Sequence, residues 1–347
     1  MDIPDTLKGR DFIETRDLTI DELTLLLDVA DDLKQAFHRG EHVLALPNQT
    51  IYLLFFDKST RTRNAFEAGA TQLGAHAHFL DSSATQISHG ETARDTGIIL
   101  GAMGHGIAIR HDLIPGEGNT YMRAVAEATD VPVINMQCDV DHPTQQLADL
   151  MTIREIFGRE LKGRKIAVSW AYAPSYAKPL SVPQGLITLM GRFGMDVTLA
   201  HPPEYRLLDA PMQYAQQACA EAGVKFEVTD DMDAAFADAD VVYPKSWGCF
   251  DLMTQRAGLT SQEEIHANEQ ACLEVNGRYK DWICDERRLA LAKKDALYMH
   301  CLPADRGCEV TDAVIDGPQS VVFQEAENRL HTAKAIMACC MRERPFA

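Results

Sequence analysis

The sequence lacks the features of a membrane or secreted protein. No apolar run approaches the roughly 20 residues that a membrane-spanning helix needs, and the first residues, Met1–Asp5, are acidic without an apolar segment. The nine cysteines contain no CxxC pair, and Cys339 and Cys340 are adjacent. An odd number of cysteines without framework spacing is typical of reduced thiols. We therefore expect a soluble cytoplasmic protein.

The sequence also lacks an excess of positive charge. It contains 33 Lys and Arg residues against 51 Asp and Glu residues, a formal net charge of −18. A nucleic acid requires a basic face, so the composition argues against it as the main partner. A small anion in a local basic pocket is compatible with this charge.

Cofactor and metal signatures are absent as well. The glycines of the segment Gly101–Gly106 are in the wrong order for a dinucleotide fingerprint, and a strand pattern follows them instead of preceding them. His76 and His78 alternate on a predicted strand, but two histidines that share a strand face do not by themselves make a metal site. We predict neither a cofactor nor a metal site.

The pattern that is present alternates strands with helices. A length of 347 residues suggests two domains, and the alternation predicts parallel sheets covered by helices on both faces. Four assignments matter below: strands over Val131–Asn135, Leu297–His300 and Val321–Gln324, and a closing helix over Asn328–Cys340 with Arg329 in its first turn.

The most informative stretch begins with the apolar strand Thr50–Phe56. A helical pattern follows it, so Ser59 and Thr60 lie where a buried strand turns into a helix. The first amides of a helix carry the positive end of its dipole and suit a phosphate dianion. Arg61 and Arg63 point to nearly opposite sides of this helix. Arg63 has Glu67 four residues on, which predicts an ion pair, so Arg61 is the better anion ligand. The alternative is that Ser59 and Thr60 simply cap the helix.

Other polar residues follow predicted strands. Arg110 ends one strand, and His142 and Gln145 are three residues apart at the start of the helix that Pro143 opens. Lys245 follows the strand Val241–Tyr243. In a parallel sheet the carboxyl ends of the strands face the ligand crevice, although an arginine or histidine at such a place is often only a solvated or capping residue.

Three motifs occur in order along the chain: Ser59-Thr60-Arg61-Thr62-Arg63, His142-Pro143-Thr144-Gln145 and His300-Cys301-Leu302-Pro303. Together they resemble the aspartate/ornithine carbamoyltransferase family over nearly the whole chain. The resemblance implies two doubly wound α/β domains: residues 1–157, joined by a C-terminal helix over 325–347, for carbamoyl phosphate, and residues 158–324 for the acceptor. It also implies a homotrimer with shared active sites.

The resemblance implies a role for each site residue. Carbamoyl phosphate is expected to contact Ser59, Thr60, Arg61, Thr62, Arg110, His142, Gln145, Arg329 and the backbone carbonyls of Cys301 and Leu302. Arg61, Thr62, Arg110 and His142 are the expected catalytic residues. Gln86 and His89 are expected to reach the neighbouring subunit's site. No protein nucleophile is required; Cys301 as a covalent nucleophile is the alternative.

The second half departs from ornithine carbamoyltransferases. Their Asp-x-x-x-Ser-Met-Gly signature is replaced by Lys245-Ser246-Trp247-Gly248, so Lys245, Ser246 and Trp247 are the expected acceptor ligands. This segment and the proline-rich loop Pro174–Pro183 are similar to the knotted branch of the family and closest to a sub-branch linked to purine catabolism. Phosphorolysis of a small anionic ureido compound is thus expected. Ornithine or N-acylornithine carbamoylation, or a non-catalytic carbamoyl phosphate-binding subunit, are the alternatives.

Overall fold

The chain divides into two compact units. The computed structural model describes residues 3–112, 114–176 and 178–341. Unit 1 combines the residues up to Asp112 with Gly116–Met151 and the residues from Ala326 onward, and unit 2 consists mainly of Thr152–Glu325. Ala177, within the proline-rich loop, and residues 342–347, at the end of the predicted closing helix, lie outside the described part.

Unit 1 is built on a four-stranded parallel sheet with strand order β2-β1-β3-β4. Its elements are α1 (Ile20–His38), β1 (Thr50–Phe55), α2 (Arg61–Gln72), β2 (His76–Asp81), α3 (Ala93–Met103), β3 (Gly106–His111), α4 (Gly118–Ala126), β4 (Val133–Cys138) and the first part of α5 (Pro143–Phe157). The chain moves outward from β1 to β2 and then crosses back to β3 on the other side of β1. The strand order therefore reverses between β1 and β3.

Unit 2 is built on a five-stranded parallel sheet with strand order β7-β6-β5-β8-β9. Its elements are β5 (Lys165–Trp170), α6 (Ser181–Met190), β6 (Asp196–Ala200), α7 (Asp209–Ala222), β7 (Phe226–Thr229), α8 (Met232–Phe236), β8 (Val241–Lys245), α9 (Phe250–Arg256), α10 (Gln262–Asn276), α11 (Glu286–Leu289), β9 (Leu297–Tyr298) and α12 (Asp312–Ile315). The order reverses between β5 and β8. Two parallel sheets with intervening helices confirm the predicted fold class.

The last helix, α13 (Val322–Cys340), lies mostly in unit 1. It packs on α2 through Gly69, where an added Cβ would come within 3.0 Å of Met337 Cε. Thr332 Oγ1 donates to the carbonyl of Thr144 at 3.1 Å, which joins α13 to α5. Because α13 contacts both helices, it holds Arg329 in a fixed place in unit 1.

Several predicted boundaries are wrong. Val321–Gln324 is not a strand, because α13 already begins at Val322 and Arg329 therefore lies beyond its first turn. The strand β4 begins at Val133 and continues to Cys138, after Pro132, which has no N–H to donate to a sheet. The strand β8 continues to Lys245, and β9 ends at Tyr298.

Pro244 lies inside β8, beyond the end predicted at Tyr243. The strand β9 pairs only with Val241 and Val242, so β8 has a single neighbouring strand at Pro244, where it pairs with Ser169. A proline is tolerated where one edge of a strand is unpaired. Among the described residues, no helix has the length and apolarity to cross a membrane.

Candidate active site

The reversal of strand order in unit 1 lies next to the predicted phosphate turn. Phe55, the last residue of β1, pairs with Arg110 in β3, and Phe56 N–H donates to the carbonyl of Arg110 at 2.9 Å. Ligands of open α/β sheets bind at such a switch point, outside the carboxyl ends of the strands. The fold thus brings Arg110 beside the turn that carries Ser59.

Three predicted residues meet at one hydroxyl group. Arg110 Nη1 lies 3.2 Å from Ser59 Oγ and 3.5 Å from Thr62 Oγ1. Arg329 Nη2, from α13, donates to the same Thr62 oxygen. Thr62 is 1 % exposed and Arg329 is 4 % exposed. Guanidinium groups beside hydroxyls at the start of a helix are donors of the kind that bind an anion.

His142 belongs to the same group. Its Nε2 lies 3.3 Å from Arg329 Nη2, and its Nδ1 lies 3.3 Å from Thr144 Oγ1. Because a guanidinium can only donate, Nε2 is the accepting nitrogen. Gln145 is buried behind His142, with its Nε2 donating to Asp149 Oδ1 at 2.7 Å.

The helix start does not use its threonine as a cap. Thr60 is the residue before α2, yet its side chain makes no capping hydrogen bond. Arg61 opens the helix and is half-buried. Arg63 pairs with Glu67, with Nε 2.8 Å from Oε1, and stacks on the Phe79 ring. The ion pair predicted for Arg63 is present, and the capping alternative is not supported at Thr60.

Sequence reasoning missed Asp112, the residue that orients Arg110. The carboxylate receives Arg110 Nη2 at 2.9 Å and Nε at 3.4 Å, a two-point contact. Burial raises the pKa of Asp112 to about 7, against the opposing charge of Arg110 and with help from Asp57. The available signal was the i, i+2 spacing of Arg110 and Asp112, because alternate residues of an extended segment share a face.

Gln86 and His89 lie outside this group. They form one exposed 3₁₀ turn, in which His89 Nδ1 is 3.3 Å from Gln86 Oε1. The segment is exposed and polar between β2 and α3, which is the position expected of a residue that serves another molecule.

Unit 2 also concentrates predicted residues where its strand order reverses. Trp170, the last residue of β5, pairs with Lys245, the last residue of β8. Lys245 is 6 % exposed, and its Nζ donates to the carbonyl of Ser246 at 2.7 Å. Trp247 is 1 % exposed, and its Nε1 donates to the carbonyl of Tyr205 at 2.7 Å. The Trp247 indole therefore forms part of the interior of unit 2, and its one donor is occupied.

The residue that organises this region is Glu309, which sequence reasoning also missed. It is 0 % exposed. Its carboxylate accepts from Ser246 N at 2.6 Å, from Lys178 Nζ at 3.0 Å and from Asp305 N at 2.7 Å. His300 Nε2 lies 3.4 Å away. Burial alone would raise the pKa of Glu309, but His300, Lys178 and Lys245 lower it further than burial raises it.

Glu309 thereby joins three loops of unit 2. Lys178 comes from the proline-rich loop after β5, Ser246 follows β8, and His300 follows β9. The proline-rich loop is held a second time by Asn276 Nδ2, which donates to the carbonyls of Ala173 and Ser175. We call Lys178, Lys245, His300, Asp305 and Glu309 the charged cluster. No sequence motif marks Glu309, since its partners are distant along the chain.

Leu302 has a backbone conformation that suits a functional loop. Its φ is +53°, which is uncommon for a side chain branched like leucine, and its N–H donates to His300 Nδ1 at 2.9 Å. Cys301 beside it is half-buried. Backbone strain of this kind occurs most often at ligand and active sites.

In comparison with known proteins, the two halves of the chain match the two domains of one protein family. The carbamoyl-P binding domain of aspartate/ornithine carbamoyltransferases matches residues 10–155, and the Asp/Orn binding domain of that family matches residues 180–340. YgeW of Escherichia coli O157:H7, a proposed carbamoyltransferase, is 41 % identical over 98 % of this chain and 92 % of its own length.

More distant relatives have named acceptors. Ornithine carbamoyltransferase of Anoxybacillus flavithermus is 36 % identical over 95 % of this chain and 96 % of its own. A crystal structure of acetylornithine transcarbamylase with acetylcitrulline superposes with a TM-score of 0.85 at 33 % identity, covering 96 % of this chain and 100 % of that one. Ornithine carbamoyltransferase from Pyrococcus furiosus superposes with a TM-score of 0.82 at 34 % identity, covering 96 % and 98 % of the two chains.

Proposed function

The chain belongs to the aspartate/ornithine carbamoyltransferase family, and from this premise we propose that unit 1 binds carbamoyl phosphate through Ser59, Thr60, Arg61, Thr62, Arg110, His142, Gln145 and Arg329. The observation that carries the proposal is the meeting of Arg110 and Arg329 at Thr62 Oγ1, at the start of α2. Guanidinium groups, hydroxyls and helix amides are the donors that phosphate prefers. By the family resemblance, Cys301 and Leu302 add backbone carbonyls.

The chemistry requires positioned charge more than a protein nucleophile. A neutral amine attacks the carbamoyl carbon, and the carbonyl oxygen becomes an oxyanion that Thr62 and Arg110 stabilise, joined by His142 when its Nε2 carries a proton. The carbon–oxygen bond to phosphate then breaks, and the phosphate leaves toward Ser59, Arg61 and the amides of α2. The amine proton leaves with solvent or phosphate. In the reverse direction, phosphate attacks a ureido carbon and carbamoyl phosphate is formed.

We infer that the acceptor is a small anionic ureido compound and that the reaction runs as phosphorolysis in purine (allantoin) catabolism. The sequence has Lys245 where ornithine enzymes have an aspartate for the ornithine ammonium. Glu309 offsets part of the Lys245 charge, so selectivity depends on polar contacts as well as on charge. We propose that Trp247 supports the loop from inside, since its one donor is held by the carbonyl of Tyr205.

The second candidate is carbamoylation of ornithine or an N-acylornithine. The superposition with acetylornithine transcarbamylase over 96 % of this chain favours it. An acyl group removes the charge of the amine it modifies, so an acylornithine does not need the aspartate that this chain lacks. A non-catalytic subunit is disfavoured, because Arg61, His142, Gln145 and Arg329 are all present.

A substrate panel tests the proposal. The purified protein is assayed with carbamoyl phosphate and a set of amines, and with phosphate or arsenate and a set of ureido compounds. We expect phosphate-dependent cleavage of an acidic ureido compound and poor turnover of ornithine. A Thr62→Val variant, which keeps the shape but loses the shared hydroxyl, is the matched control and should be inactive in both directions. Efficient citrulline formation from ornithine would contradict the proposal and would support a function in arginine metabolism.

We also propose a homotrimer in which Gln86 and His89 complete the neighbouring subunit's site. Their exposure on one 3₁₀ turn supports this. Mixing an inactive Gln86→Ala, His89→Ala variant with an inactive Arg61→Ala variant should restore activity through mixed sites. Absence of recovery after verified subunit exchange would show that each site is self-contained. The knot at Pro174–Pro183 stays a prediction.

A further inference from the structure

Three metal-ligating side chains meet on unit 1 outside the carbamoyl phosphate residues. His38 is the last residue of α1, and Glu327 and His331 are one turn apart on α13. Their ligand atoms all lie within 4.8 Å of one another. We propose that His38, Glu327 and His331 bind a divalent transition-metal ion, with zinc as the ion that this set of ligands favours.

The spacing of the ligand atoms fits a tetrahedral ion. His38 Nε2 lies 3.0 Å from Glu327 Oε1, and His331 Nε2 lies 3.6 Å from the same oxygen. Zinc bonds to nitrogen and oxygen are about 2.0–2.2 Å long, which separates neighbouring ligand atoms by roughly 3.3 Å. Two imidazoles and one carboxylate match a common zinc ligand set, with the fourth position open to water.

The burial of His331 is an independent observation. Its side chain is 0 % exposed, and neither ring nitrogen has a hydrogen-bond partner within the described part of the chain. A buried polar group without a partner requires an explanation, and an ion is one of the ordinary ones. Burial, with Lys334, Lys34 and His38, lowers the pKa of His331 to about 3, so the ring is in the neutral form that binds metals.

The surroundings both help and oppose binding. The Phe37 ring packs against both histidine rings, at 5.7 Å from His38 and 5.6 Å from His331, and so limits their rotation. Lys34 and Lys334 place positive charge nearby and reduce the affinity for a cation. Lys34 Nζ is directed to Asn328 Oδ1 at 2.7 Å, and Lys334 Nζ to Gln72 Oε1 at 3.0 Å. The competing interpretation is an ion pair between His38 and Glu327 with His331 as packing.

Competition between the full-length protein and a chromogenic zinc chelator tests the proposal. The protein is first freed of metal by chelator treatment and dialysis. When zinc is then added, we expect the protein to bind one zinc ion per chain in competition with the chromogenic chelator. His38→Asn, Glu327→Gln and His331→Gln should each weaken binding by more than roughly tenfold, the least that even an outer partner of a metal site contributes. His38 is 56 % exposed, so His38→Asn tests the site without threatening the fold. The double variant His76→Asn, His78→Asn removes a histidine pair on β2 and should bind as the wild type does.

Cobalt substitution and heat stability supply readouts besides affinity. Co²⁺ in the site should show the intense visible absorption of four-coordinate nitrogen and oxygen ligands, and zinc should raise the Tm of the wild type but not of His38→Asn. A sulfur-to-cobalt charge-transfer band would place the ion on a cysteine and overturn the proposal. Unchanged affinity in His38→Asn, or no binding by the wild type, would also overturn it and leave the ion pair as the explanation.

Discussion

In both units, cationic side chains are directed to a buried acceptor group, but the acceptor differs between the units. In unit 1, Arg110 and Arg329 both donate to the hydroxyl of Thr62. In unit 2, Lys178 and Ser246 N converge on the carboxylate of Glu309, with His300 3.4 Å away. Arg110 also contacts the carboxylate of Asp112, but the atom that it shares with Arg329 is an uncharged hydroxyl oxygen. The first arrangement gathers guanidinium donors as the proposed phosphate site requires, and the second joins loops through a buried carboxylate.

We propose that this difference distinguishes a ligand-binding place from a structural one, although both lie where the strand order of a sheet reverses. Each sheet reverses its strand order, and each reversal gathers polar residues at the carboxyl ends of two strands. Position in the fold alone would give both places the same role. The partner that each cation finds is what distinguishes them, and substitutions at the two places should have different consequences.

The largest expected effect is on stability, from Glu309→Gln. The amide keeps the shape but removes the buried negative charge that Lys178 contacts. Removing one partner of a buried ion pair costs about 3–5 kcal/mol, so the urea midpoint should fall sharply. Asp305→Asn is the matched control, because Asp305 also contacts Lys178 but its side chain is 37 % exposed; it should cost less than about 1 kcal/mol. Equal, small costs for both variants would show that the charged cluster does not hold the loops.

Arg61→Ala should act on binding. Loss of a charge-assisted contact costs about 1.5–3 kcal/mol, so carbamoyl phosphate should bind more than tenfold more weakly with little change in the free energy of unfolding. Arg63→Ala is the control on the same helix: it removes the Glu67 ion pair and the contact with Phe79, and should act on stability alone. Weaker binding in Arg63→Ala, with normal binding in Arg61→Ala, would reverse the assignment of the two helix faces.

Mild acid should weaken the packing around His331. The pKa of buried His331 falls from the ordinary 6.5 to about 3, so its contribution is complete above pH 6.5 and is lost as the unfolded chain takes up the proton. At pH 5 the loss is about 2 kcal/mol. Burial raises the pKa of Asp112 to about 7, which opposes this loss in unit 1, and burial lowers the pKa of His300, which adds a loss in unit 2. The contribution of His331 is therefore measured against a variant that lacks this imidazole.

Hydrogen exchange at pH 7.5, 6 and 5, with a metal chelator present, measures this effect. Protection factors in α13, corrected for the slower intrinsic exchange at lower pH, should fall from pH 7.5 to 5. His331→Gln should reduce this fall, because glutamine does not titrate. The same fall in His331→Gln and in the wild type would mean that His331 does not control the acid stability of α13.

The sequence predicted what depends on local patterns. The strand of Thr50–Phe55 and the helix after it follow from an apolar run and helical spacing, and the pair of Arg63 and Glu67 follows from a four-residue separation. Val321–Gln324 failed because a short apolar run of β-branched residues does not distinguish a strand from the first turn of a helix. Tertiary packing of α13 decided the outcome.

The partners of the site residues depend on long-range contacts and were not predictable in the same way. Glu309 lies 131 residues from Lys178 and 63 from Ser246, and no spacing rule connects such positions. Asp112 is the exception, since an arginine and an aspartate two residues apart at a strand end share a face. The expected contact of Trp247 with the acceptor stays a prediction, and the structure adds that the indole lies in the interior of unit 2 with Nε1 donating to the carbonyl of Tyr205.

The smallest expected effect concerns Trp247 and sharpens the comparison within unit 2. Trp247→Phe keeps an aromatic ring in the interior but removes the Nε1 donor, which leaves the carbonyl of Tyr205 without that hydrogen bond. The cost should be about 1 kcal/mol in the free energy of unfolding, and the KM for the acceptor should stay within about twofold, since the only donor of the indole is already held by the carbonyl of Tyr205. Lys245→Met is the paired variant at the end of β8; it removes a charge from the same loop and should raise the KM for the acceptor more than the KM for phosphate. If Trp247→Phe raised the acceptor KM without a loss of stability, the indole would be a direct acceptor contact, and unit 2 would bind its ligand with a side chain that the present structure buries.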